Sequence, residues 1–516
     1  MVGHDFVWLK GPEGAGKTSG LMAVHSDIMT RIGAAGRLSM YGFVSYEAAK
    51  DKAKDFNALQ ARTNGRYHAV VVKSWEAEYR EICGRLQVEA ITFGAAMEAG
   101  YPSLWEAVAN LQPQVVAALE QRHRAVWGEI GHQWPVLMTQ HGLMQVWATW
   151  THSRRFWHRD FWKVWRNRWN DPDRYGGLQA EMGLALAVYD EVAASDLLEC
   201  RRADVVEWIR DLKRSNPVWR RSGKILEKYR AWDDLREVPA GLTFHDARII
   251  AEGTNKAWRE VIVRDSGEYG EPSERSIYSR SVGNCWYVRQ RNWWAGLARR
   301  VVVTTTEVLP TLVAGKLEPV TLLGQSHRKR ADRQRAGWTM IELECPRLER
   351  DTVRVTFDRA CTAANVVGVV ERFREAHGQD FFVITNKGQE VARTATHAGA
   401  KGSNGFVGRD IAQIMLHMSP DEHELHEVYN AWAGVDICCR LRHVDEFNQS
   451  AGRNLGFRKR GDDPHHWLVI SRSLWLKIDR VLVEHSRYNF RLWISDREIK
   501  EIKIRQDDGL IVEEAA

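Results

Sequence analysis

A chain of 516 residues is too long for one ordinary core and suits two to four domains. With 44% hydrophobic and 27% charged residues, no apolar run of bilayer length and no secretory signal in the first residues, the expectation is a cytoplasmic protein without a membrane partner. The formal net charge of +6 permits a polyanionic partner, and the seven scattered cysteines without a CxxC pair argue against a zinc ribbon or redox motif.

The first element is a short apolar run, Phe6, Val7, Trp8 and Leu9, of strand type. It leads into Gly11-Pro-Glu-Gly-Ala-Gly-Lys-Thr18, which fills every fixed position of the phosphate-binding pattern GxxxxGK[ST], and a run with helical spacing follows. Strand, glycine loop and helix in that order form a phosphate cradle. Gly11, Gly14, Ala15 and Gly16 supply backbone N–H groups, Lys17 reaches the β- and γ-phosphates, Thr18 offers a hydroxyl to Mg²⁺, and Ser19 opens the helix. ATP and Mg²⁺ are the ligands expected there.

Residues 80–133 read as a helical insertion, with an amphipathic run toward their end. Pro135 to His141 form an apolar strand ending in Thr139 and His141. Residues 147–169 mix six tryptophans with Arg154, Arg155, Arg159, Lys163, Arg166 and Arg168. Two readings stay open. The indoles could stack on the bases of a single strand while arginines meet its phosphates. Equally, the tryptophans, mostly at helical steps, could form a buried stripe under solvated arginines.

The apolar run from Leu184 to Tyr189 reads as a buried parallel strand that ends in Asp190 and Glu191. Behind a phosphate loop, these acids are the expected second half: Asp190 for Mg²⁺ and Glu191 to polarise the attacking water. Residues 197–296 are too long for a loop and read as an inserted subdomain, with a helical start and strand-like pieces at 247–251 and 258–263. Val301, Val302 and Val303 then run into Thr304, Thr305 and Thr306. Further strands are expected at 353–357, 381–384 and 411–416, a helix at 366–376, and a last strand at 467–470. Residues 486–516 suit a small hairpin or an added strand.

Near the far end stands Gln449-Ser-Ala-Gly-Arg453-Asn-Leu-Gly-Phe-Arg458. This resembles QxxGRxxR, motif VI of superfamily 2 helicases, in which two RecA-like lobes sandwich ATP and the second lobe lends its Gln and arginines. Fixed positive charge is needed where negative charge spreads over the γ-phosphate, and arginine keeps that charge. The family's second arginine falls where this chain has Gly456; Arg458 is the nearest substitute. Other segments resemble the family's motifs in the family's order. Thr304, Thr305 and Thr306 resemble motif III, which links the lobes. Thr139 and His141 resemble a backbone-touching segment of the first lobe. Thr385 and Asn386 resemble motif IV, and Thr396, Ser403 and Asn404 resemble motif V. The group that includes XPD and DinG carries insertions in the first lobe, and one of them holds an iron–sulfur cluster. This chain has only Cys83 between motifs I and II, which excludes a four-cysteine cluster there.

The resemblance implies an α/β fold of two RecA-like P-loop domains. Residues 1–196 and 297–325 would form the first lobe, 197–296 an inserted α+β subdomain, 326–485 the second lobe and 486–516 a tail. It implies a nucleic-acid-stimulated ATP hydrolase: a helicase or translocase with Lys17, Glu191, Gln449, Arg453 and Arg458 as catalytic groups. Its partner would be single-stranded DNA or a tailed duplex, contacted by Thr139, His141, Thr385, Asn386, Thr396, Ser403 and Asn404, and, on the stacking reading of the tryptophan-rich segment, by Arg154 and Arg155. Protein partners would come from a replication, mobile-element or defence system. An ATPase of virion assembly or DNA packaging shares the first two motifs, without needing the second lobe, and is the rival expectation.

Overall fold

The structure is a computed structural model. It describes residues 6–101, 104–130, 133–150, 184–204, 260–263, 284–291, 293–295, 297–317, 320–321, 334–335, 338–343, 351–385, 393–397, 405–459, 464–495 and 498–500. Nineteen strands are found among these residues. β1 (Phe6–Lys10), β2 (Ser39–Phe43), β3 (Tyr67–Val71), β4 (Trp134–Gln140) and β5 (Leu184–Tyr189) precede the inserted subdomain. Next come β6 (Leu198–Asp204), β7 (Glu260–Val263), β8 (Asn284–Gln290), β9 (Ala298–Thr305), the short pair β10 (Val320–Thr321) and β11 (Gln334–Arg335), and β12 (Thr339–Glu342). β13 (Thr352–Phe357), β14 (Phe382–Thr385), β15 (Thr394–Thr396), β16 (Ile411–Met415), β17 (His466–Ile470), β18 (Asn489–Ser495) and β19 (Glu498–Lys500) complete the set.

Two seven-stranded sheets organise the chain. The first runs β12-β1-β9-β5-β2-β4-β3, parallel throughout. The second runs β15-β14-β16-β17-β13-β18-β19, parallel except for the antiparallel edge β19. Both are flanked by helices, so the chain folds as two RecA-like P-loop domains. Apolar composition explains the central strands: every residue of β2, β5, β16 and β17 is buried, as a parallel strand covered on both faces requires.

The strand membership moves two expected boundaries. Thr339–Glu342 pairs with β1, so the first sheet reaches past residue 325, and the second begins at Thr352. The expected last strand, β17, is followed by β18, which pairs in parallel with β13. Residues beyond 485 therefore supply an inner strand and, with β19, a hairpin. The alternation that suggested an added strand there sets its faces: Phe490 and Leu492 face the core and Arg491 is less buried.

Between β3 and β4 the chain forms four helices, Trp75–Leu86, Phe93–Glu98, Leu104–Leu111 and Pro113–Ile130, which carry their own core of Tyr79, Ile82, Val108, Val115 and Leu119. The subdomain after β5 opens on a strand, β6, rather than on the expected helix. It forms the antiparallel sheet β6-β8-β7. The strand-like piece at 247–251 and most of the tryptophan–arginine segment lie outside the described residues.

One apolar cluster joins the two sheets. Leu309 and Val313 of the helix Val308–Ala314, which follows β9, belong to it together with Val428, Leu441 and Val444 of helices Pro420–Ala433 and Cys438–Ala451 of the second lobe. No described helix is long and apolar enough to cross a membrane.

Candidate nucleotide cleft between the lobes

β1 ends at Lys10, and the loop behind it turns through Gly14 (φ 72°) and Gly16 (φ 76°), left-handed conformations that glycine adopts without a Cβ clash. Gly16 caps the helix Lys17–Ala23. Lys17 bends back over the loop, its Nζ 2.9 Å from the Gly11 carbonyl, 3.1 Å from that of Pro12 and 3.8 Å from a Glu191 carboxylate oxygen. Ala15 N–H bonds the Pro12 carbonyl at 3.3 Å, and Ser19 is exposed beside Lys52.

β5 delivers the acids. Thr18 and Thr304 both donate to Asp190 Oδ1, the latter at 2.8 Å. Burial, then the neighbouring Glu191 charge, pushes the Asp190 carboxyl above its ordinary range. Glu191 sits in the left-handed region at φ 53°, a conformation that costs a non-glycine residue about 1 kcal/mol or more and collects at functional sites. Thr304 holds it there, its hydroxyl accepting from Glu191 N–H at 3.2 Å.

The second lobe closes on this arrangement. Helix Cys438–Ala451 ends at Gly452, whose Cα lies so near the phosphate loop that an added Cβ would stand 2.6 Å from Glu13 Cβ. A Cβ on Gly14 would stand 3.1 Å from Phe457 Cβ and 3.2 Å from Arg458 Cγ. Asp351 fixes the turn that makes this approach, accepting from Gly456 N–H at 2.7 Å and pairing with Lys459 at 2.8 Å. Gln449 donates to Thr306 Oγ1 and, at 3.4 Å, to Glu191. Arg453 donates to the Gln449 side-chain oxygen and main-chain carbonyl, each at 3.1 Å.

Arg453 is 4% exposed, and burial, then the nearby Arg458, pushes its guanidinium down to about 10. Burial lowers Arg458 too, while Glu191 and Glu13 oppose the shift. Among the described residues, each retains a buried Nη1 with no hydrogen-bond partner. An unsatisfied buried donor costs about 1–3 kcal/mol, and anionic oxygens arriving between the lobes would recover it. The loop glycines, Lys17, the Thr18–Asp190 pair and these two orphaned donors fit a magnesium triphosphate.

The cleft thus gathers Gly11, Gly14, Ala15, Gly16, Lys17, Thr18, Asp190, Glu191, Gln449, Arg453 and Arg458. Three participants escaped sequence reading. Glu13 is a buried loop carboxylate, raised by burial and paired with Arg487 at 3.6 Å. Arg487 also lies over the Phe457 ring, 5.4 Å from its centroid. Asp445 accepts from the N–H groups of Val308 and Leu309 at 2.8 and 3.0 Å, capping a first-lobe helix from the second lobe. Its position one turn before Gln449 on the same helix was the available signal. Nothing in the sequence flags Arg487.

The nucleic-acid residues fare differently. Thr139 is fully buried and its hydroxyl donates to the Val72 carbonyl at 2.7 Å, so it cannot touch an external strand. His141 stacks on Tyr189 at 3.9 Å, with burial pushing its imidazole down to about 4; it lies beneath the cleft. Thr385 is buried at the end of β14. Thr139 serves as an internal hydrogen-bond group, which sequence alone does not distinguish from a ligand. Thr396 is partly exposed on the edge strand β15. Arg154, Arg155, Asn386, Ser403 and Asn404 lie outside the described residues.

No protein-family model and no curated protein matches the sequence. Among solved structures, the DEAD-box helicase Mss116 bound to ssRNA and UDP-BeF is similar over 94% of this chain and 71% of its own, at 9% identity and a TM-score of 0.35. The DUF1998 helicase MrfA bound to DNA is similar over 95% of this chain at 8% identity and a TM-score of 0.33, and this chain spans 48% of its length. A DEAD box protein from the hyperthermophile Methanococcus jannaschii is similar over 95% of this chain and 88% of its own, at 9% identity and a TM-score of 0.27. The two-lobed architecture itself rests on the strand order and the contacts across the cleft.

Proposed function

We propose that this chain is an ATP-hydrolysing motor of superfamily 2 type, a helicase or translocase that moves on DNA or RNA. The observation that carries the reading is the seating of Gly452–Arg458 of the second lobe against Glu13 and Gly14 of the phosphate loop. An ATPase of virion assembly or DNA packaging would not need a second sheet that lends its arginines in cis.

Thr18 and Asp190 would hold Mg²⁺, which neutralises charge on the β- and γ-phosphates when bound. Lys17 exchanges the Gly11 and Pro12 carbonyls for phosphate oxygens. Glu191, aimed by Thr304 and Thr306, orients the attacking water and accepts its proton. Arg453 and Arg458 lie where charge builds on the γ-phosphoryl group, in a buried site where a guanidinium acts strongly. Loss of that group removes the anion between the lobes, so cleft opening follows hydrolysis. Nucleic acid would run across both lobes and be gripped mainly through phosphates, with low sequence preference.

The test is ATPase activity with and without single-stranded DNA and RNA, followed by strand displacement on duplexes tailed at either end. Nucleic acid should raise the turnover, and Lys17→Ala should remove it. An ATPase indifferent to every nucleic acid tried would rule out the motor.

A further inference from the structure

A second cluster of chemistry lies outside the cleft residues. The helix Pro420–Ala433 presents His423 and Glu427 one turn apart on one face. The helix Cys438–Ala451 starts against that face with Cys439 in its first turn. One ligand atom from each residue, an imidazole nitrogen, a carboxylate oxygen and the sulfur, lie within 4.8 Å of one another. Cys439 Sγ is 3.5 Å from Glu427 Oε1 and 3.9 Å from the His423 carbonyl. All three residues are half-buried, so a metal ion could reach them from solvent.

We propose that His423, Glu427 and Cys439 form a zinc-type site whose fourth position is taken by water. The donor set decides the metal class. Magnesium and calcium want oxygen throughout, whereas sulfur, nitrogen and a single carboxylate suit zinc. Bonds of about 2.0–2.3 Å place ligands of a tetrahedral zinc roughly 3.3–3.8 Å apart, so a triad held within 4.8 Å closes with shifts of about 1 Å. The Cys439 proton leaves to solvent as the metal binds, and the first turn of a helix favours the negative sulfur that remains.

The position gives the site a use. The two helices are joined only by residues 434–437, and the second carries Asp445 and Gln449 before ending at Gly452. Ten residues of helix separate Cys439 from Gln449, about 15 Å. A metal at its start would pin the helix that reaches across the cleft to the helix packed beside it.

The full-length protein, stripped with a chelator and dialysed, is titrated with cobalt(II). Wild type should develop tetrahedral visible bands and a near-ultraviolet thiolate-to-cobalt band, saturating at one equivalent and abolished by zinc. Cys439→Ser should lose the thiolate band. His423→Ala and Glu427→Gln keep the sulfur but should bind cobalt more weakly than wild type by more than the 10–100-fold that an outer-shell partner is worth. Zinc should raise the melting temperature of wild type and not of Cys439→Ser, with far-ultraviolet circular dichroism checking that each variant folds. Absence of the thiolate band in wild type, its survival in Cys439→Ser, or unchanged affinity in His423→Ala would each overturn the site. None of these readouts depends on ATP hydrolysis.

Discussion

Gly452→Ala isolates the closure of the two lobes from the chemistry on either side. Gly452 caps its helix at φ −67°, a conformation alanine adopts freely, and within its own helix the new Cβ meets only the Asn448 carbonyl oxygen, at 3.2 Å. The obstacle is across the cleft: the new methyl would lie 2.6 Å from Glu13 Cβ and 3.0 Å from Glu13 Cγ. Glu13 Cβ moves only with the loop backbone, so about 1 Å of separation is needed to restore an ordinary contact. Arg453, the next residue, retreats by a similar distance. A misplacement of about 1 Å costs on the order of 10²-fold in rate, near 2.7 kcal/mol of transition-state stabilisation. Ground-state ATP affinity is supplied largely by the first lobe and should change by less than about threefold. Single-turnover hydrolysis with saturating nucleic acid, beside equilibrium binding of a fluorescent ATP analogue, reads the two quantities separately. Hydrolysis within twofold of wild type would show that the second lobe need not approach the loop this closely and would refute the geometry.

Four further outcomes follow from the cleft. Arg453→Ala should lower kcat by about 10³-fold or more with little change in ATP binding, measured by steady-state ATPase and nucleotide titration. Glu191→Gln should bind ATP and hold it unhydrolysed, which filter binding and product analysis detect; appreciable turnover would remove Glu191 as the water-orienting base. Asp445→Ala uncaps the helix Val308–Ala314 and should cost about 0.5–2 kcal/mol in denaturant unfolding, together with slower ATPase. Asp190 has its folded pKa raised, so its contribution to stability is full below the unfolded value and is lost as pH rises through the folded one. Asp190→Asn should therefore melt above the nucleotide-free wild type near neutral pH, with the gain shrinking toward acid, while losing Mg²⁺-dependent hydrolysis.

Legibility followed the range of the interaction. The phosphate loop is a local device, and strand, glycines and helix are contiguous in sequence, so residues 6–23 were readable in full. Asp190 and Glu191 were readable because an apolar strand ending in acids has a place reserved beside such a loop. Gln449 and Arg453 were legible only through the resemblance to motif VI, since nothing local says that a buried basic turn will meet a loop more than 430 residues away. Glu13, Asp445 and Arg487 were missed because their partners are chosen by closure of the lobes, not by neighbours in sequence. Thr139 was overread for the opposite reason: its hydroxyl, at a buried strand end, bonds the Val72 carbonyl as readily as another would meet a ligand. The boundary near 326 failed because β12 returns to pair with β1 after residues whose composition resembles a linker.

The three consecutive threonines show why the lobes should respond to a single phosphoryl group. At a strand end, alternate side chains share a face, so Thr304 and Thr306 point toward the acids while Thr305 turns away to the Val192 carbonyl and the Glu307 N–H. Thr304 donates to Asp190 and accepts from the Glu191 backbone; Thr306 donates from both backbone and side chain to the Glu191 carboxylate and accepts from Gln449. Gln449 in turn receives Arg453. Asp190, Thr304, Glu191, Thr306, Gln449 and Arg453 thus form one unbroken run of hydrogen bonds. A carboxylate that moves when the γ-phosphate leaves cannot keep its bonds to Thr306 and Gln449 unless helix Cys438–Ala451 moves with it. That helix also carries Asp445, whose cap on the first-lobe helix is the other polar tie described between these elements, and both ties must yield together. In the motor proposed above, closure would then be a two-state property of this helix, set by an anion in the cleft.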